Sequence, residues 1–196
     1  MSDNKINKTI LNFRGYGLLK SEFDYKTLNN LRHELTVSPK NMSSFGGMGA
    51  NVPSYSIYQE SEKRLYIPKY LGLQRFGLPD KNKLKEGVNI DLKFNGELRE
   101  NQVKPVEAFL KAAKEDTQLG GLINLPCGFG KTSISLYIIS KLQKKTLVIV
   151  HKDFLLKQWR ERIEQFLPGA RVGLIKAKVI DIEDKDIVVG SLQSLS

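Results

Sequence analysis

Asn124-Leu125-Pro126-Cys127-Gly128-Phe129-Gly130-Lys131-Thr132-Ser133, NLPCGFGKTS, is the stretch on which the fold turns. A short apolar run, GLINL, leads into it, and Lys131 to Gln143 behind it reads as a helix. Glycines let a backbone curl so that its N–H groups face phosphate oxygens, while a following lysine reaches the outer phosphates and a hydroxyl holds magnesium. Gly128 and Gly130 supply the permissive backbone, Lys131 the charge and Thr132 the hydroxyl. The expectation is a nucleoside triphosphate cradled by Leu125, Pro126, Cys127, Gly128, Phe129, Gly130, Lys131, Thr132 and Ser133, with Mg2+ on Thr132. The strict form of the pattern has glycine at 125, where this chain has Leu125. The bland alternative is a glycine turn at a strand end beside a surface Lys-Thr.

The surrounding periodicity supplies a scaffold for such a loop. LRENQVKPVEAFLKAAKED is helical in period, with Val103, Val106, Phe109, Leu110 and Ala113 as its apolar stripe. A strand is expected at Leu122 to Leu125. TLVIV, Thr146 to Val150, is the continuous apolar run of a buried parallel strand. Phe154 to Phe166 turns Leu155, Leu156, Trp159, Ile163 and Phe166 inward, and Val172–Ile175 and Ile187–Val189 are further strands. Strand alternating with helix predicts an α/β doubly wound parallel sheet.

Ahead of Gly96 the texture differs. Residues 1–20 read as a tail, and residues 21–94 as a small α+β unit. In that unit YKTLNNLRHEL puts Leu28, Leu31 and Leu35 on one helical face, and Pro39 ends the helix. NMSSFGGMGAN, residues 41–51, reads as a loop. A hairpin follows, setting Tyr55, Ile57 and Tyr58 against Leu65, Tyr66 and Ile67 around ESEK, and VNIDLKF adds a strand.

The composition, 40% apolar and 27% charged, is that of a soluble globular chain. No apolar run approaches the roughly 20 residues of a membrane span, and MSDNKINKTI lacks the apolar core of a secretory signal. A lone cysteine, Cys127, excludes an internal disulfide and a cysteine-rich zinc site, so a soluble, intracellular setting is expected. Cys127 has two readings, a thiol activated by the helix N-terminus or a small residue that fits the loop. A formal charge of +10 points to a polyanionic partner, or else to a generally basic surface. Many of the lysines and arginines precede the glycine loop.

LPCGFGKT resembles motif I of superfamily 2 helicases, in the XPB-like and UvsW-like branch found in large DNA viruses. Three further stretches agree with that resemblance in order. ELRENQ is similar to an adenine-recognition element, which implies that Arg99 and Gln102 contact the base. LVIVHKDFLLKQW is similar to motif Ia, which implies that His151 and Lys152 face a nucleic-acid backbone. VVGSLQSLS resembles the next strand-end motif, bringing Ser191, Leu192 and Gln193 to the same track. SEKRLYIPKYLGLQRFG resembles the segment that precedes the motor in viral and phage helicases, either as a DNA-contacting element or as a structural hairpin.

The resemblance implies a RecA-like lobe 1 over residues 95–196, ATP and Mg2+ as cofactors, a nucleic-acid partner with DNA preferred to RNA, and a monomeric motor. A viral origin would place it in host cytoplasm, viral factory or virion. It also implies a magnesium-binding Asp-Glu after the strand ending GSLQSL, beyond the 196 residues, so lobe 1 is expected to be incomplete and hydrolysis to need a second lobe. KVIDIEDKD is not taken for that motif, because its apolar run is short and it comes too early. Two other readings stand beside the motor. One is a non-catalytic nucleic-acid-binding module with a relic loop. The other is a small P-loop kinase, for which an arginine-rich lid is not evident.

Overall fold

A computed structural model describes residues 7–38, 54–115 and 120–195. The loop expected over residues 41–51 lies outside them. The chain divides into two compact units, Met1–Lys85 and Glu86–Ser196.

The first unit is built on a hairpin, β1 (Thr9–Asn12) and β2 (Gly15–Leu19). Then come α1 (Tyr25–Glu34), β3 (Thr36–Val37), β4 (Tyr55–Ser56), β5 (Gln59–Glu60), β6 (Arg64–Ile67), α2 (Lys69–Phe76) and β7 (Lys81–Asn82). Five strands form one sheet in the order β5-β6-β2-β1-β7, antiparallel except for β7 beside β1. Leu11, Tyr16, Leu18, Leu65 and Ile67 are buried. Phe76 of α2 stacks on Tyr16, and Gly72 leaves no room for a Cβ against that ring. Asp24 caps α1, accepting from the Thr27 N–H at 2.8 Å, an interaction typically worth about 1 kcal/mol.

This corrects three expectations. Thr9–Leu19, within the expected tail of residues 1–20, supplies the middle of the sheet: Leu11 pairs with Tyr16, Ile10 with Gly17 and Thr9 with Leu18, and Ile10, Leu11, Tyr16 and Leu18 are buried. The hairpin is shorter than expected: Gln59 and Glu60 face Tyr66 and Leu65, while Tyr55 pairs with Val37 in a separate ladder. VNIDLKF is no strand. The amide of Gln143 grips Leu92, accepting from its N–H at 3.1 Å and donating to its carbonyl at 2.7 Å. Leu92 and Phe94 join the core of the second unit, with Phe94 stacked on Phe166.

That second unit contains α3 (Glu100–Lys114), α4 (Lys131–Leu142), β8 (Thr146–Val150), α5 (Asp153–Phe166), β9 (Val172–Lys176), β10 (Val179–Asp181) and β11 (Ile187–Ser191). Its sheet runs β10-β9-β11-β8, with β9, β11 and β8 mutually parallel and β10 antiparallel at one edge. The fold is α/β, with helices packed on a parallel sheet. Leu136 and Ile139 of α4 and Leu156 and Ile163 of α5 share a core with Val150, Ile187 and Val189. On the other face Leu147 and Ile149 stay about half exposed, and β8 pairs only with β11 among the described residues. Leu122 to Leu125, expected as a strand, forms none, because nothing among the described residues gives it a ladder. Arg171 clamps Asp186 at the start of β11 through its backbone N–H (2.9 Å) and both ends of its guanidinium (3.1 and 2.7 Å). Those hydrogen bonds hold the Asp186 carboxyl below its ordinary range. No helix of the described residues is long and apolar enough to cross a membrane.

Candidate functional site: the glycine loop and the strand-end rim

The loop closes where its glycines allow. Gly128 and Gly130 take left-handed φ values of +77° and +85°, which a side chain rarely adopts. Gly130 is the N-cap of α4, and no side chain caps that end. Space matters as much as φ: a Cβ on Gly130 would lie 2.6 Å from Gln102 Nε2 and 2.9 Å from Arg99 Nη2. Both neighbours hold the loop. Gln102 Nε2 donates to the Phe129 carbonyl at 2.7 Å, and its Oε1 accepts from the Arg99 N–H at 2.9 Å. Arg99 Nη2 donates to the same carbonyl at 2.8 Å. Gln102 is thus a buried amide with both ends bonded, on the face of α3 that also buries Val106. Val103, expected inward, faces solvent instead.

Lys131 opens α4 and is exposed, its Nζ donating to the carbonyls of Leu125 and Pro126, each at 2.9 Å. Thr132 follows, half-buried, and Ser133 Oγ donates to the Gly130 carbonyl at 2.8 Å. Cys127 is an exposed free thiol. A cleft of about 510 Å³ opens here, lined by Cys127, Gly128, Lys131 and Thr132 and, from α5, by Gln158 and Arg162. Sequence reading had not singled out Gln158 and Arg162. Their signal is helical spacing, which puts them on one side of α5 with Phe166, one turn apart. A larger cleft of about 710 Å³, between α5 and β9, lies away from the loop.

An uncapped helix start, two left-handed glycines, a lysine and a hydroxyl are the donor set that a phosphate chain requires, so the residues fit a nucleoside triphosphate. For a metal the chain offers less. Among the described residues no three His, Cys, Asp or Glu side chains stand together. Asp181, in the stretch set aside as a magnesium motif, lies on the antiparallel edge strand and pairs with Lys185 at 3.3 Å.

The parallel strands bring the remaining candidates to one rim. Val150 lies opposite Ser191, so β8 and β11 end together. Beyond them Gln193 Nε2 donates to the His151 carbonyl at 3.0 Å, and Ser191 Oγ donates to Gln193 Oε1 at 2.7 Å. His151, Lys152, Leu192 and Gln193 are exposed, while Ser191 is buried beneath them.

Residues 95–196, carrying both the loop and this rim, match the family described as type III restriction enzyme, res subunit. The chain belongs to that family. Its members are helicase-type ATPases of superfamily 2, as the resemblance implied. The chain is 31% identical over 195 residues to a protein of Acanthamoeba polyphaga mimivirus named as an ATP-dependent RNA helicase, covering 98% of this chain and 37% of that protein. It is 35% identical over 104 residues to the DNA 3'-5' translocase XPB2 of Sulfurisphaera tokodaii, covering 50% of this chain and 22% of the translocase. Among solved structures it is similar to the Sulfolobus solfataricus SWI2/SNF2 ATPase core in complex with dsDNA, at 28% identity and a TM-score of 0.42, over 55% of this chain and 23% of that one. The chain thus spans well under half the length of these relatives.

Proposed function

We propose that residues 86–196 form the ATP- and nucleic-acid-binding part of RecA-like lobe 1 in an ATP-dependent DNA helicase or translocase, preceded by an accessory nucleic-acid-binding unit. The observation that carries this reading is the braced loop at the start of α4, with Lys131 and Thr132 at its mouth. The loop amides from Cys127 to Ser133 and the Lys131 ammonium would hold the phosphates of ATP, and the Thr132 hydroxyl would hold Mg2+. Bound ATP supplies the phosphoryl-transfer chemistry that drives such motors. Arg99 and Gln102 would meet the adenine from the side on which they already grip the loop, so base occupancy and loop shape share one set of hydrogen bonds.

His151 and Lys152, with Ser191, Leu192 and Gln193, would contact the backbone of a nucleic-acid strand. Backbone contacts position a strand and carry little base information. DNA is preferred on the likeness to the DNA translocase, although the mimivirus relative is named for RNA. A viral, intracellular, monomeric motor fits the viral relatives. Turnover by these 196 residues by themselves is expected to be negligible, since they span 37% and 22% of the two relatives and motors of this class place catalytic groups on both lobes.

Calorimetric titration with Mg-ATP tests the reading. The wild-type chain should bind and Lys131→Ala should lose about tenfold or more in affinity, as expected for a charge-assisted phosphate contact. Nucleotide binding indifferent to Lys131→Ala would leave a nucleic-acid-binding module with a relic loop. Robust DNA-stimulated turnover by this chain, abolished by Lys131→Ala, would overturn the expectation of inactivity.

A further inference from the structure

The β1–β2 hairpin turns through two residues, Phe13 and Arg14, between the paired Asn12 and Gly15. The turn is held rigid. Asn12 Oδ1 accepts from the Arg14 N–H at 2.9 Å, and Gly15, at φ +115°, has no room for a Cβ against the Ile67 carbonyl. On this tip Phe13 is 88% exposed. The Arg14 guanidinium lies within cation–π reach of two rings, 5.6 Å from the centroid of Phe13 and 5.6 Å from that of Tyr66. Tyr66 in turn lies over Gly17, whose missing side chain makes room for the ring.

The register sets more charge beside it. Lys81, Ile10, Gly17 and Tyr66 are successive cross-strand partners and share one face, opposite the face carrying Tyr16 and α2. The Lys83 N–H donates to the Leu11 carbonyl at 2.7 Å and carries the parallel ladder toward the turn. Lys81, Lys83 and Lys85 are exposed. None of these three, nor Arg14, has a carboxylate partner among the described residues, whereas Lys8, Lys20, Arg32 and Arg75 each have one. The wider charge agrees. Residues 1–85 hold 14 of the 31 Lys and Arg but only 7 of the 21 Asp and Glu, which leaves +7 there and +3 in residues 86–196.

We propose that this hairpin tip is a binding site for single-stranded nucleic acid, with Phe13 stacking on an unpaired base and Arg14, Lys81 and Lys83 engaging the phosphates beside it. A bare ring beside unpaired cations is the arrangement that holds a single strand, because every base presents a π-face and every linkage a charge. A duplex hides its base faces and could use only the cations. The site deepens the reading of the chain as a nucleic-acid-binding motor and rests on that part of it, but not on the glycine loop.

Fluorescence anisotropy of the full chain with a labelled oligothymidine and with a blunt hairpin duplex, across a salt series, tests it. Phe13→Ala should weaken binding to the single strand by about tenfold and to the duplex hardly at all, and Phe13→Trp should restore it. Arg14→Ala should weaken both and shallow the salt dependence by about one phosphate contact. Thermal melts of the variants should match the wild type, since both side chains lie outside the core. Single-strand binding unchanged by Phe13→Ala would overturn the proposal. So would equal losses on both probes, which indicate duplex backbone contact, or no binding by the wild type. Mg-ATP affinity, measured alongside, should be the same in Phe13→Ala and wild type, so the two sites can fail separately.

Discussion

Gln102 braces the loop and, on the proposed reading, would meet the nucleotide as well. It occupies an inward position on α3, where the period calls for an apolar residue, and both ends of its amide are bonded to the loop and to its own helix start. Gln102→Ala would strand the Arg99 N–H and leave the Phe129 carbonyl to Arg99 alone. A loss of about 1–3 kcal/mol by chemical denaturation is expected, together with weaker Mg-ATP binding. A leucine there should recover packing without recovering nucleotide affinity, which separates the two roles. Asp186 makes a different prediction. Its carboxyl, held low by Arg171, adds stability that is full above the unfolded aspartate pKa of about 3.9 and fades as pH falls through the depressed folded value. Asp186→Asn should cost about 1–2 kcal/mol at neutral pH, a gap that closes in acid melts. A gap that stayed as wide throughout the acid series as at neutral pH would mean that the ion pair is not its source. The glycines could be placed from the sequence because the turn into α4 needs left-handed φ there, while the phosphate and Mg2+ roles of Lys131 and Thr132 belong to the proposal. Gln102 as a brace could not, since its partners are carbonyls far along the chain.

Helices were the better-read elements. α1, α3, α4 and α5 follow their apolar periods closely, because a helix answers to its own sequence. Strands answer to neighbours. TLVIV became β8 because β11 runs beside it, whereas GLINL, apolar at Leu122, Ile123 and Leu125, has no ladder among the described residues. The β1–β2 hairpin was missed for a related reason. Its sequence, TILNFRGYGLL, alternates poorly, and its glycines serve neighbours on other strands. Gly72 on α2 belongs to the same class. Gly72→Ala should press on the buried Tyr16 ring and lower the melting temperature of the first unit, at a cost of about 1–3 kcal/mol. A melt unchanged by that substitution would mean that α2 can ride up without loss.

At the scale of the whole chain, two compact units share 196 residues, and the boundary at Lys85 rather than Phe94 follows from where Leu92 and Phe94 find cover. Composition foretold the charge and the order of residues its lean toward the first half, and the boundary puts the division at +7 against +3. The β8 face that keeps Leu147 and Ile149 in water has a practical consequence. Parallel sheets are ordinarily covered on both sides, and hydrophobic-probe dyes light up on surfaces that are not. The folded chain should therefore fluoresce with such a dye before any heat is applied. A dye-monitored melt would start bright and give a shallow or inverted trace, easily mistaken for a molten protein, while circular dichroism on the same sample would show a cooperative transition.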